Sequence, residues 1–115
     1  MTINISSPNT EGLRDFHDKI ELEKLLTGIN KIKREKNIFK PLVVKLSPDI
    51  NPSETSKIIE LIIKHKIDGI IVSNTTDSNR ESLIDAQKNE KGGLSGQPLR
   101  DLSTNLIKKF YRDTK

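Results

Sequence analysis

The stretch "PLVVKLSPDINPSETSKIIELIIKHKIDGIIVSN", residues 41 to 74, is a complete strand–helix–strand unit. Its ends, "PLVVKLS" and "DGIIVSN", are short, rich in Ile and Val and close on polar residues, the pattern of strands buried on both faces. Between them a helix has a marked start. Asn51 can cap it, Pro52 suits the first helical position, and Glu54 stands three residues beyond the cap, as a capping box requires. Ile58, Ile59, Ile62 and Ile63 then form an apolar stripe at helical spacing. A crossover helix returns the chain so that the second strand lies parallel to the first, and this unit alone predicts a parallel α/β layer.

The alternation continues on both sides. "TINIS", residues 2 to 6, is another short strand. From Glu21 to about Lys33, Leu22, Leu25, Leu26, Ile29 and Ile32 fall on one helical face, interrupted only by Gly28. A last helix is predicted from Leu102 to about Arg112, with Leu102, Leu106, Ile107, Phe110 and Tyr111 inward. The chain is therefore three consecutive βα units with parallel strands, without internal sequence repeat.

Composition bounds what such a chain can be. Of 115 residues, 32% are hydrophobic and 31% charged, with three Phe, one Tyr and no Trp, so a core made from this chain alone is thin. The absence of Cys excludes disulfide staples, thiolate catalysis and cysteine-ligated metal. A net charge of +4 permits a nucleic-acid or anionic-membrane partner, yet in "RDFHDKIELEKLL" and "KKFYRDTK" the bases sit among acids and read as solvated helix faces. No apolar run approaches the ~20 residues that span a bilayer, and no signal-peptide pattern opens the chain, so these residues read as soluble.

In parallel arrays the ligand lies beyond the carboxyl ends of the strands. Here the first strand end offers Asn4, Ser6, Ser7 and Asn9, the second Lys45, Ser47 and Asp49, and the third Ser73, Asn74, Thr75 and Thr76. With Asp49 taken as a turn residue, the set is amides, hydroxyls and one cation. It lacks the carboxylate and imidazole cluster of a metal site and a His beside any Ser for a triad. His17 and His65 are predicted at the surface. Such a donor set suits a planar, heteroatom-rich, anionic ligand. Each piece also has a plainer meaning: "SSPN" as an Asx or Ser turn, Lys45 as a surface lysine, "NTT" as a cap. The connection from Asp77 to Pro98 is long enough to be functional or disordered, and its "GGLSG" sets Gly92, Gly93 and Gly96 where backbone N–H groups can approach a ligand.

Taken together, "NISSPNTEGLR", "LVVKLSPD", "DGIIVSNTT" and "GGLSGQPLRDLST", in this order and at these spacings, resemble the second half of the dihydroorotate dehydrogenases, flavin enzymes of pyrimidine synthesis built on a (β/α)8 TIM barrel. The resemblance runs from Thr2 to the end. It implies that residues 1–115 are a fragment of one FMN-dependent barrel domain, approximately strands four to six with their helices. It implies oxidation of dihydroorotate to orotate with hydride transfer to FMN. Ser7 would be the catalytic base. Asn4 would contact flavin and substrate, Lys45, Ser73 and Gly96 would bind FMN, and Asn9, Asn74 and Thr75 would hold the substrate. Ser73 stands where members often carry Thr, and keeps the hydroxyl.

Ser7, where the soluble members carry Cys, resembles the quinone-dependent class. That class implies re-oxidation by a quinone reached through an N-terminal segment absent here, and peripheral association with a bacterial cell membrane or the mitochondrial inner membrane. The remainder of the barrel would be the fragment's partner, no nucleic acid is expected, and the fragment alone is expected to be inactive. Two alternatives remain open on the residues: another FMN-dependent pyrimidine-reducing barrel, or a non-enzymatic basic α/β module that binds RNA or acidic lipid.

Overall fold

The computed structural model describes residues 1–7, 11–78 and 80–115, and the unit of residues 41–74 is its centre. The elements run β1 (Thr2–Asn4), a 3₁₀ turn (Leu13–His17), α1 (Lys19–Glu35), β2 (Val43–Leu46), α2 (Pro52–Lys64), β3 (Gly69–Val72) and α3 (Gln97–Asp113). The strands form one parallel sheet in the order β1, β2, β3. These are three consecutive parallel βα units.

Local chemistry places each helix start. Asn51 accepts the Glu54 N–H at 2.9 Å while the Glu54 carboxylate accepts the Asn51 N–H at 3.0 Å, completing the capping box expected from the sequence. Asp18 caps α1 by accepting from Ile20 N–H at 2.9 Å, three residues before the apolar pattern begins at Glu21. The last helix starts at Gln97, five residues earlier than its apolar periodicity indicates, because Gly96 and Pro98 form its amino end. α1 and α2 each stop on a residue in the left-handed region, Asn37 (φ 52) and Lys66 (φ 51). Their N–H groups donate back to the Arg34 and Ile63 carbonyls.

The helices cover one face of the sheet. Ile5, Val44 and Leu46 point into a core shared with Leu22 and Leu26 of α1 and Ile58 and Ile62 of α2, all nearly inaccessible to solvent. Each such side chain contributes about 1.5–3 kcal/mol of burial. The alternate residues, Asn4, Lys45 and Ile71 in register, stand on the opposite face, which nothing within the described residues covers. The expectation of strands buried on both faces is thus corrected: one face is buried and the other lies open. Accordingly the radius of gyration is 15.4 Å, against about 13 Å for a compact domain of this length.

Four residues expected inward are exposed: Ile32, Ile63, Ile107 and Tyr111. Three strands cannot surround the flanks of the outer helices, so those stripe edges have no neighbour here. On α2, Leu61 is fully buried in place of Ile63.

Candidate active site

The site grows from the carboxyl ends of the strands. Asn4 and Lys45 are register partners in β1 and β2, so their side chains leave the open face of the sheet side by side. Past β1, the chain turns on the Asn4 amide: its Oδ1 accepts Ser6 N–H at 3.2 Å and Ser6 Oγ–H at 2.8 Å. Past β3, Asn74 continues the ladder by donating its N–H to Leu46 O at 2.9 Å, and its Nδ2 donates to Ser6 Oγ at 3.0 Å. Ser6 is completely buried, so one hydroxyl, donating to one amide and accepting from the other, locks the orientations of Asn4 and Asn74. Ser6 was visible in the sequence at a strand end, but its linking role is not. The only local signal is the Asn-x-Ser spacing of an Asx turn.

Asn74 Oδ1 in turn accepts Thr75 N–H at 2.8 Å, and Ser73 Oγ donates to Asn74 O at 2.9 Å. Ser7 is half-buried immediately after Ser6. Asn9 lies outside the described residues. Lys45 is half-buried, and its ammonium has no hydrogen bond or ion pair among the described residues. A partly desolvated cation without a counter-ion favours an anionic ligand at that face. The donor set therefore fits a flavin: amides for ring edges and a cation for the charge of its reduced form. The structure gathers Asn4, Lys45, Ser73, Asn74 and Thr75 around the strand ends. Gly96 (φ +76) is the N-cap of α3, and a Cβ built there would meet nothing within 4 Å.

The long connection after β3 doubles back. Thr76 and Leu94 exchange backbone hydrogen bonds at 3.0 and 2.7 Å, an isolated antiparallel bridge. Arg80 spans the loop so formed, donating to the Lys88 carbonyl at 3.0 Å and to that of Gly92. Gly93 is pressed on Thr75, where a Cβ would lie 1.8 Å from Thr75 Oγ1. Gly93→Ala should therefore push Thr75 from its place, lowering stability by about 1–3 kcal/mol and weakening ligand affinity at the β3 end. Unchanged melting and binding would show that Thr75 has room to move.

Asp49 exceeds the turn role expected of it. It does sit in a turn, with its N–H donating to Ser47 Oγ at 3.1 Å, but its carboxylate joins all three loops. It accepts from Arg14 Nη2 at 3.0 Å, from Asp77 N–H at 3.3 Å, from Ser78 Oγ at 3.0 Å and from the Thr76 hydroxyl. Arg14 also pairs with Asp77 at 2.9 Å. Burial alone would raise the Asp49 carboxyl, but the hydrogen bonds from Thr76, Asp77 and Ser78 outweigh it and hold it below its ordinary value. His17, the last residue of the 3₁₀ turn, is buried rather than at the surface, because that turn folds it in beside α1. Burial lowers its pKa, with Arg14 adding to the effect and Glu54 and Asp49 opposing it. His65 is half-buried, also deeper than expected.

Parallel βα units with amides, hydroxyls and one lysine without a counter-ion among the described residues at the strand ends define a segment of a parallel α/β protein whose candidate site lies beyond those ends. The comparisons agree: the family profile described as Dihydroorotate dehydrogenase matches residues 1–115. The chain belongs to the dihydroorotate dehydrogenase family.

It is 44% identical over 106 residues to a dihydroorotate dehydrogenase (quinone) of Christiangramia forsetii, covering 92% of this chain and 31% of that protein. It is 40% identical over 116 residues to the mitochondrial dihydroorotate dehydrogenase (quinone) of Mus musculus, covering 96% and 29%. The crystal structure of DHODH in complex with ferulenol from Eimeria tenella superposes with a TM-score of 0.90 at 32% identity, over 98% of this chain and 35% of that one. The chain thus spans about a third of the length of the relatives it matches.

Proposed function

We propose that residues 1–115 form strands four to six of a quinone-linked dihydroorotate dehydrogenase that oxidises dihydroorotate to orotate with FMN. The observation that carries this reading is the half-buried Lys45, without a partner among the described residues, in register with Asn4 and beside the amide pair locked through Ser6. The names of the relatives support the dihydroorotate and quinone assignment over another pyrimidine-reducing barrel. The basic RNA or lipid module finds no such support as the primary role.

In this reading Asn4 and Asn74 present fixed amide edges to the substrate ring, with Thr75 and Asn9 completing its grip and fixing its orientation. Ser7 Oγ takes the proton from a ring carbon, and the surrounding loops keep water from competing for it. FMN, when bound, supplies the hydride acceptor. Lys45, Ser73 and Gly96 hold it, and Lys45 offers positive charge where negative charge develops. The mouse relative is named mitochondrial, and no helix among the described residues is long and apolar enough to cross a membrane. The complete enzyme, in this reading, associates peripherally with a membrane and meets quinone through a segment outside these residues.

The test uses a barrel completed by joining this chain to the flanking segments of the Christiangramia relative. Lys45→Ala there should lower FMN retention and shift the flavin potential downward, since the reduced anion loses its cation. Wild-type cofactor content together with a wild-type potential would make Lys45 a bystander. The 115 residues alone, with three strands and one open face, should bind no FMN stoichiometrically, show no dihydroorotate oxidation, and be marginally folded or associated. Titration with FMN, size-exclusion chromatography and turnover with a dye acceptor check this. A yellow, active monomer would overturn it.

A further inference from the structure

The ten residues from Lys31 to Lys40, "KIKREKNIFK", hold five cations and one acid. Their net charge of +4 equals that of the whole chain, so all the remaining residues together are neutral. The one acid, Glu35, lies 3.9 Å from Lys31, whereas Arg34, Lys36 and Lys40 have no carboxylate partner among the described residues. The left-handed Asn37 (φ 52) ends α1 and turns the chain outward, so that Phe39 is 91% exposed. Ile38 is exposed beside it. Lys33, Arg34, Ile38, Phe39 and Lys40 line one shallow groove of about 510 Å³. The groove lies at the amino-terminal end of β2, opposite the strand ends that carry the candidate active site.

We propose that this tip is a contact surface for an anionic lipid bilayer. Phe39 and Ile38 enter the boundary between headgroups and acyl chains, and the cations of residues 31–40 lie over the lipid phosphates. Charge complementarity selects this occupant: an exposed ring and Ile38, amid cations of which Arg34, Lys36 and Lys40 have no carboxylate partner among the described residues, match a surface that is apolar beneath and anionic above. A single-stranded nucleic acid would need a row of aromatic side chains for its bases, and this tip has one. The surface belongs to this chain itself and does not rest on the active-site reading, which gives this end of the sheet no role.

The experiment sediments the chain completed with the flanking barrel segments only, with vesicles of phosphatidylcholine alone or with phosphatidylglycerol added to supply the charge of an anionic leaflet. Binding should require phosphatidylglycerol and fall with added salt. Phe39→Ala should weaken it about tenfold, the loss of one buried ring. The double variant Lys36→Glu and Lys40→Glu should abolish it, while the equal-charge double Lys57→Glu and Lys91→Glu on other surfaces should leave most of it. Equal losses from both doubles, or equal binding to uncharged vesicles, would overturn the proposal. So would tighter, Phe39-independent binding to single-stranded RNA in competition. A completed barrel that binds no anionic vesicle before any substitution would overturn it as well.

Discussion

Ser7→Ala in the completed barrel is expected to slow reduction of the flavin by dihydroorotate by about 10²–10⁴-fold, the usual cost of removing a general base. The expectation rests on the position of Ser7, half-buried one residue after the Ser6 hydroxyl that orients Asn4 and Asn74. The substrate amides stay in place in the variant, so FMN content and substrate affinity should change little while the single-turnover rate collapses. Ser7→Cys should recover part of the rate, with a pH profile drawn toward the thiol range near about 8.5. Stopped-flow flavin bleaching separates these outcomes. A wild-type reduction rate in the alanine variant would remove Ser7 from the role.

Asp49→Ala should cost about 2–3 kcal/mol of stability, toward or below the low end of the range for breaking a buried ion pair. The discount reflects solvent at the pair: side-chain exposure is 28% for Arg14 and 16% for Asp49. The loss would also reach the site, since the same carboxylate ties the loop that follows Ser7 to Thr76 and Ser78 beyond Asn74. The pH dependence has a definite sign. The folded carboxyl is held below its ordinary value, so its contribution is complete above about pH 4 and disappears as pH falls through the lower, folded value. The stability gap between wild type and Asp49→Asn should therefore be widest near neutrality and close in acid. A gap that stayed constant from neutral to acid would show that the charge of Asp49 does not carry the effect.

Much of the fold was legible because it rests on local rules. The capping box at Asn51 and Glu54, the Pro at the first turn of α2 and the Ile stripe each depend on residues within a turn or two of one another; the box and the Pro formed as expected, and the stripe formed at Ile58, Ile59 and Ile62. The parallel order followed from the crossover helix. The apolar stripes were over-assigned at Ile32, Ile63, Ile107 and Tyr111, because periodicity marks an apolar face without saying how far its neighbours reach. The start of α3 was missed although the buried Leu99, three residues before Leu102, extends its stripe; Gly96 and Pro98 set its amino end.

The sequence by itself determined the alternation of strands and helices, the strand ends as the place of the site, and the polar, nearly uncharged character of what gathers there. All of these follow from short-range spacing and residue chemistry. Tertiary structure alone decided that Ser6 bridges Asn4 to a residue 68 positions away. It alone also decided that Gly93 abuts Thr75, that His17 is buried, and that Asp49 binds loops separated by 35 and 27 positions. The physical reason is one of distance: parallel strands joined by crossover helices bring together loops that are far apart in the chain, and no periodicity or local propensity records which of their side chains will meet.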